Sequence, residues 1–330
     1  MLSAFLHDHR GPPRRILFTE PPMHLTRRDF LATTSAFAAA SAIAPIAFAQ
    51  PPVPSPRRTL RKAVMFGMIQ APDGASLTDK FQMLRDAGFE GVEMDSPSKT
   101  STADIIAASE KTGIKVHGLV DSVHWKYYLN SPEPDVRDLA LDALRTALTD
   151  GKALGAISVL LVPGVVNKDL AYDDCWKLTQ QEIRKVLPLA KETGVKIAIE
   201  NVWNNFLLSP LEAKRYIDEF ADPNVGFHFD IGNIINSGFP DQWIRILGPR
   251  ILKLHIKDFS RKKRDKEGLW KGFDVELGQG DAGWPAVMKA LDDIGYSTSA
   301  AGNWATAEVG GGDLNRLKEI SAQMDALFAM

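Results

Sequence analysis

The chain has 330 residues, 45% hydrophobic and 24% charged, with 25 glycines and 20 prolines, proportions that exclude collagen-like and disordered chains. Its 39 basic and 41 acidic residues leave a formal charge of −2, which removes the electrostatic basis for a nucleic-acid binder. The single cysteine, Cys175, can form neither an internal disulfide nor a Cys-rich metal site.

The first element is a leader. Thr26-Arg27-Arg28-Asp29-Phe30-Leu31 is a twin arginine followed by an apolar pair, and it opens an uncharged, Ala-rich run to Ala44. Pro45 stops any helix there, and Ala47-Phe48-Ala49 offers small residues at both positions a signal peptidase reads. Residues 1–49 resemble a twin-arginine (Tat) signal peptide cleaved after Ala49. The resemblance implies a periplasmic or otherwise exported protein that meets the membrane only through the uncleaved signal and its translocon. A transmembrane anchor is disfavoured, because the apolar run falls short of the ~20 residues a spanning helix needs. Met23, just upstream of the arginines, competes with Met1 as the start. Residues 50–62 read as a Pro-rich tether, and 63–330 as one domain.

From Lys62 onward one pattern recurs: a short apolar strand, a loop, an amphipathic helix, a glycine, and the next strand. The strands are expected at Ala63–Gln70, Phe89–Met94, Lys115–Val120, Ala156–Val162, Val195–Glu200, Val225–Asp230, Ile251–Lys257 and Trp304–Val309. Helices are expected after Ser76, over Thr102–Thr112, Asp135–Leu154 and Asp174–Thr193, after the capping box Ser209-Pro210-Leu211-Glu212, over Trp284–Ile294, and after Asp313. Strict alternation demands parallel strands, and eight of them predict an α/β fold, a closed (β/α)8 TIM barrel. An open doubly wound sheet would usually carry a Gly-rich nucleotide turn after an early strand, and none is present.

Side chains alternate along a strand, so parity separates the barrel interior from the helix-facing side. Glu200, Asp230, His255 and Glu308 all take inward parity near the C-terminal ends of their strands, the face that carries active sites in such barrels. Three carboxylates converging there repel one another unless a cation is present. With one imidazole they make a hard, oxygen-rich site for one divalent ion: Mn²⁺ first, then Mg²⁺ or Co²⁺. The competing reading is four unrelated polar strand ends capped by water.

The segments Ile199-Glu200-Asn201, Phe229-Asp230-Ile231-Gly232-Asn233, His255-Ile256-Lys257-Asp258, Gly278-Gln279-Gly280-Asp281 and Thr306-Ala307-Glu308-Val309 resemble the xylose-isomerase-like sugar isomerase/epimerase superfamily over essentially all of 63–327. That superfamily includes ketose 3-epimerases, hydroxypyruvate isomerase, inosose dehydratase and repair enzymes of the endonuclease IV type. The resemblance implies that Glu200, Asp230, His255 and Glu308 bind the metal, and that Glu200 and Glu308 also move protons through a metal-bound enediolate. Arg261 matches a substrate-binding arginine; its alternative is a solvated member of the run Arg261-Lys262-Lys263-Arg264. A repair nuclease of this fold needs more histidines than the four that remain beyond the leader, so that reading is set aside.

Two departures weaken the transfer of substrate specificity. Phe206 stands where the epimerases have a further glutamate, and Asn233, a candidate substrate contact, stands where they have a histidine. The expected activity is therefore isomerisation or epimerisation of a small unphosphorylated ketose or keto-sugar. Elimination from a keto-polyol or keto-glycoside is the alternative, and a non-catalytic carbohydrate-binding barrel the second. No nucleic-acid partner is expected, and a homo-oligomer is compatible with the sequence. Glu93 and His117, expected at the ends of strands 2 and 3, either touch substrate or pack at the rim. His228 is expected to be a satisfied interior histidine. Trp125, Trp203 and Trp270 either wall a sugar site or simply pack, and the stretch Phe259–Gly283 is long enough for a lid.

Overall fold

Eight parallel strands close on themselves in sequence order, each hydrogen-bonded to the next and the eighth to the first. The structure, a computed structural model, describes residues 58–298 and 303–330. The expected leader at 1–49 and the tether up to residue 57 lie outside the described residues. The strands are β1 (Arg61–Met65), β2 (Gly91–Ser96), β3 (Lys115–Asp121), β4 (Ser158–Leu161), β5 (Lys196–Glu200), β6 (Val225–Asp230), β7 (Ile251–Ile256) and β8 (Trp304–Ala307). This is the expected (β/α)8 barrel.

The helices form where local chemistry starts and stops them. They are α1 (Leu77–Asp86), α2 (Thr102–Thr112), α3 (Pro134–Leu154), α4 (Tyr172–Thr193), α5 (Pro210–Asp218), α6 (Ile231–Ile235), α7 (Pro240–Leu247), α8 (Arg261–Glu267), α9 (Trp284–Asp293) and α10 (Leu314–Phe328). Ser76 with Asp79, and Ser209 with Glu212, close reciprocal capping boxes at the starts of α1 and α5. At the far end of α3, Gly155 adopts φ 74°, a left-handed turn that only glycine takes without strain.

Ile197, Ile199, Phe227, Phe229, Leu254 and Ile256 are buried on the helix-facing side of the strands and build the apolar layer between barrel and helices. Their alternate neighbours point inward. That alternation, 2.0 residues per period, delivers polar side chains from several strands to one mouth.

Some strand ends differ from the sequence reading. β1 begins at Arg61, inside the expected tether, and stops at Met65 because Phe66–Met68 turns into a 3-10 helix. Arg58 is already tied down, donating to Asp292 and to the carbonyl of Phe328. β8 stops at Ala307, so Glu308 follows the strand rather than ending it. The expected lid at 259–283 contains α8 and a 3-10 turn, Leu269–Phe273.

Candidate metal centre

β5 ends at Glu200 and β6 at Asp230, His255 is the penultimate residue of β7, and Glu308 follows β8. Three carboxylate oxygens surround one imidazole nitrogen. From His255 Nδ1, Glu200 Oε1 lies at 2.9 Å, Glu308 Oε2 at 3.1 Å and Asp230 Oδ2 at 3.9 Å. All four ligand-type atoms fall within 4.8 Å of one another. Glu200, Asp230 and His255 are buried, whereas the Glu308 side chain keeps 32% of its exposure and faces the mouth.

Asp230 serves two elements at once. Its Oδ1 accepts the backbone N–H of Asn233 at 2.7 Å and so caps the short helix α6, which leaves Oδ2 directed into the cluster. Lys257 Nζ stands 3.1 Å from Asp230 Oδ2 and 2.8 Å from Glu308 Oε2. Even so, both oxygens are buried without a hydrogen bond of proper geometry. Lys257 is one cation for three clustered carboxylates, so the cluster keeps negative charge that a further cation would offset.

The donor set fits a hard divalent ion. Metal–oxygen bonds of about 2.1 Å place adjacent octahedral ligands about 3 Å apart, the separation found around His255 Nδ1. Glu200, Asp230, His255 and Glu308 are therefore the residues that could hold a metal.

The electrostatics show how strongly the cluster wants positive charge. Burial pushes the Glu200 carboxyl upward despite its hydrogen bond from His255, and burial likewise raises Asp230. Burial would lower His255, but Glu308, Glu200 and Glu93 outweigh it and hold the imidazole well above its ordinary value. Lys257 is raised too, because Asp230 and Glu308 overcome the cost of its burial. For Glu308 burial works upward, but His255 and Lys257 prevail and hold its carboxyl below the usual range.

The other expected site residues are more dispersed. Glu93 is the third residue of six in β2 and His117 the third of seven in β3, both buried inside the barrel rather than at strand ends. This corrects their expected place at the rim: they lie beneath the cluster, with Glu93 Oε2 3.0 Å from His255 Nε2. Arg261 opens α8, donates to the carbonyls of Ile235 and Gly238, and lies over the Phe239 ring, so its guanidinium secures the α6–α7 connection. Asn233 donates its amide to the carbonyl of Asn201.

Trp203 packs with Trp270 and Phe273 and lines a cavity of about 370 Å³ with Asn201, Asn233, Leu208 and Leu269. Trp125 lies apart, half-exposed after β3 and edge-on to His124. Phe206, at the position of the missing glutamate, is buried among Tyr172, Trp176 and Tyr216. The interior histidine His228 is buried as expected but not satisfied, since neither ring nitrogen has a partner.

Three functional-site neighbours escaped the sequence reading. Lys253 and Lys257 share the inward parity of His255, and that alternation alone could have found them. Asp258 is buried and accepts from the backbone of Gly278, Gly280 and Ala282 and from the indole of Trp284. It ties the segment after β7 back over the mouth. Its signal was the Gly278-Gln279-Gly280-Asp281 motif, whose role shows only once the loop is folded.

The family described as the xylose isomerase-like TIM barrel matches residues 81–328. A putative L-ribulose-5-phosphate 3-epimerase, SgbU, of Escherichia coli (strain K12) is 24% identical over 240 residues, 68% of this chain and 82% of that protein. An inosose dehydratase of Clostridium perfringens is 29% identical over 133 residues, 37% of this chain and 44% of that protein. Among solved structures, the 3-keto-D-glucoside 4-epimerase YcjR from E. coli superposes with a TM-score of 0.66 at 16% identity, covering 82% of this chain and all of that one. By barrel, site and match together, the chain belongs to the xylose isomerase-like TIM-barrel family.

Proposed function

We propose that the protein is a divalent-metal-dependent isomerase or epimerase that moves a proton on the carbon next to the carbonyl of a small unphosphorylated ketose or keto-sugar. The observation that carries this reading is the convergence of three carboxylates on His255 Nδ1, a cluster whose negative charge the single Lys257 ammonium does not balance. When bound, a divalent cation, Mn²⁺ by preference, would polarise the substrate carbonyl and acidify the neighbouring C–H. Glu200 and Glu308 are the proton carriers. They rise from β5 and from the end of β8, so one can take a proton from one face of the substrate and the other return one to the opposite face. Asp230 stays an anchor, because its other oxygen is committed to capping α6. The aromatic residues Trp203 and Trp270 flank the cavity beside Asn201 and Asn233, a setting suited to a sugar ring.

Incubation with Mn²⁺ and a panel of ketoses in D₂O tests the reading. The wild-type chain should place deuterium on the carbon next to the carbonyl, and Glu308→Gln should lower turnover by about 10²–10⁴-fold. A panel with neither exchange nor product would leave a carbohydrate-binding barrel instead.

One observation favours a second reading, elimination of water from a keto-polyol. Lys257 places an ammonium 2.8 Å from Glu308, a positive charge that would stabilise a departing hydroxide, which epimerisation does not form. A product lighter by one water would establish it. Export by the Tat route is likewise our proposal; it requires that the pair Arg27→Lys and Arg28→Lys hold the precursor in the cytoplasm.

A further inference from the structure

The barrel interior beneath the cluster is polar, where branched aliphatic side chains usually fill such barrels. Glu93, His117, Lys253 and Thr306 are all buried there and form a continuous chain that starts at the metal-site histidine. His255 Nε2 lies 3.0 Å from Glu93 Oε2. Thr306 Oγ1 donates to Glu93 Oε1 at 3.1 Å, and His117 Nε2 lies 3.2 Å from the same hydroxyl. Lys253 Nζ contacts His117 Nδ1 and donates to the His117 carbonyl at 2.6 Å.

Two irregularities of the barrel lie beside three of these residues, Glu93, His117 and Lys253. The β2–β3 register shifts between Val92 and Glu93, pairing Glu93 with Gly118 and leaving His117 as an extra residue. The β6–β7 register shifts between Phe227 and His228, skipping Leu252 and pairing His228 with Lys253. Bulges of this kind re-aim side chains and recur beside active sites.

Counting protons gives the chain a direction. A hydroxyl has one proton, and that of Thr306 goes to the Glu93 carboxylate, which has none to return. The Thr306 oxygen must then accept from His117, which places the proton of that ring on Nε2. His117 Nδ1 is left with a lone pair, and Lys253 is the donor that meets it. His117 is neutral in this scheme, in keeping with the burial and nearby Lys253 that press its pKa well below the ordinary value. At the other end, the second oxygen of Glu93 accepts from His255 Nε2–H. A metal-bound imidazole keeps only one proton; with Glu93 holding it on Nε2, the lone pair falls on Nδ1, the nitrogen that faces Glu200, Asp230 and Glu308.

We propose that Glu93, Thr306, His117 and Lys253 act as a hydrogen-bond chain of positioning residues, its donors converging on Glu93, that keeps the His255 proton on Nε2 and presents Nδ1 to the metal. The inference rests on the metal-centre reading above and assigns four residues that supply no ligand themselves. A carboxylate behind a ligating imidazole fixes its tautomer and raises its basicity, and losing such a partner typically weakens metal binding by about 10–100-fold.

The test is Mn²⁺ titration of the full chain followed by electron paramagnetic resonance, with ¹⁵N-histidine NMR on the Mg²⁺-loaded protein. Glu93→Gln should weaken Mn²⁺ binding by about 10–100-fold. Thr306→Val, nearly isosteric, should weaken it by a smaller factor, whereas Thr306→Ser, which keeps the hydroxyl, should restore it. A merely structural role for Thr306 would reverse that order, because Val preserves the packing and Ser does not. In the Mg²⁺-loaded wild type the His255 proton should be found on Nε2. A proton on Nδ1, or variants that bind Mn²⁺ indistinguishably from wild type, would overturn the chain while leaving the metal centre intact. A wild type that binds no Mn²⁺ would overturn the metal reading and the chain with it. If Glu93→Gln does not fold, the Thr306 pair decides.

Discussion

Asn201 uses its side-chain amide as a rung between strands: Nδ2 donates to the carbonyl of Asp230 at 2.7 Å, and Oδ1 accepts the Asp230 N–H at 2.9 Å. The residue after one carboxylate thus fixes the backbone of the next. Glu200 and Asp230 cannot drift apart while that pair holds. Asn201→Leu removes both bonds and leaves the buried Asp230 N–H unpaired, at about 1–3 kcal/mol. Thermal unfolding should show that loss of stability, and Mn²⁺ affinity should fall with it. Unchanged affinity in the Asn201→Leu variant would mean that the strand ends hold their spacing without the rung.

Lys257 sets the charge of the centre. Three carboxylates carry −3, so a divalent ion with the Lys257 ammonium brings the cluster to neutrality, the least costly state for a buried site. Lys257→Met should therefore separate two properties. Without metal the variant should melt lower than wild type, because the carboxylates lose their resident cation. With metal it should bind more tightly, by at least about tenfold, since a like charge a few ångströms from the ion is gone. Isothermal titration with Mn²⁺ checks the sign, and weaker binding would make Lys257 a support of the ligand set instead of its competitor.

Asp258 anchors the segment that follows β7. Its carboxylate gathers N–H donors from Gly278, Gly280, Ala282 and Trp284, and a Cβ on Gly280 would collide with Asp258 Oδ1. Asp258→Asn turns an NH2 donor toward N–H donors, and Gly280→Ala fills the space the carboxylate needs. Either change should loosen the run Arg261-Lys262-Lys263-Arg264, which limited trypsin digestion would cut faster than in wild type. Equal cutting rates would show that α8 is held by Arg261 and Arg264 alone.

The eight strands and the four clustered residues, Glu200, Asp230, His255 and Glu308, were legible because period-2 alternation carries both signals at once. In Val225-Gly226-Phe227-His228-Phe229-Asp230 the aromatic residues mark the helix-facing side, so Asp230 must point inward. Interior depth was not legible. Glu93 read as a strand end because the expected strand, Phe89–Met94, closes one residue after it, whereas β2 runs on to Ser96. Nor was the register shift that turns His117 inward, since a bulge depends on how two strands pair and not on either alone. His228 read as a satisfied interior histidine because its parity places it inward below Asp230, and its unpaired nitrogens follow from neighbours on other strands. The role of Lys257 required knowing that its side chain folds back across Gly232, where a Cβ would lie 2.6 Å from Lys257 Cγ.

His124 makes the protein's stability depend on pH in a direction that can be worked out. Burial lowers its pKa to about 4, and its Nδ1 accepts the backbone N–H of Val162 at 3.4 Å, which requires a lone pair. In the unfolded chain the same group titrates near 6.5. Between those values the unfolded state binds the proton and the folded state does not, so stability falls as pH drops through 6.5 and levels off below 4. The full effect is about 3 kcal/mol, at 1.36 kcal/mol per unit. Asp121, at the end of β3, runs the other way: burial raises it to about 7, so its contribution is lost as pH rises. The two overlap, and the wild-type curve alone does not separate them. The difference between wild type and His124→Gln does, because it cancels Asp121. Measured by urea unfolding without added metal, the stability of wild type relative to the variant should decline from pH 7 to pH 4. A difference that stays flat over that range would mean that His124 is protonated in the folded protein and that its bond to Val162 is not made.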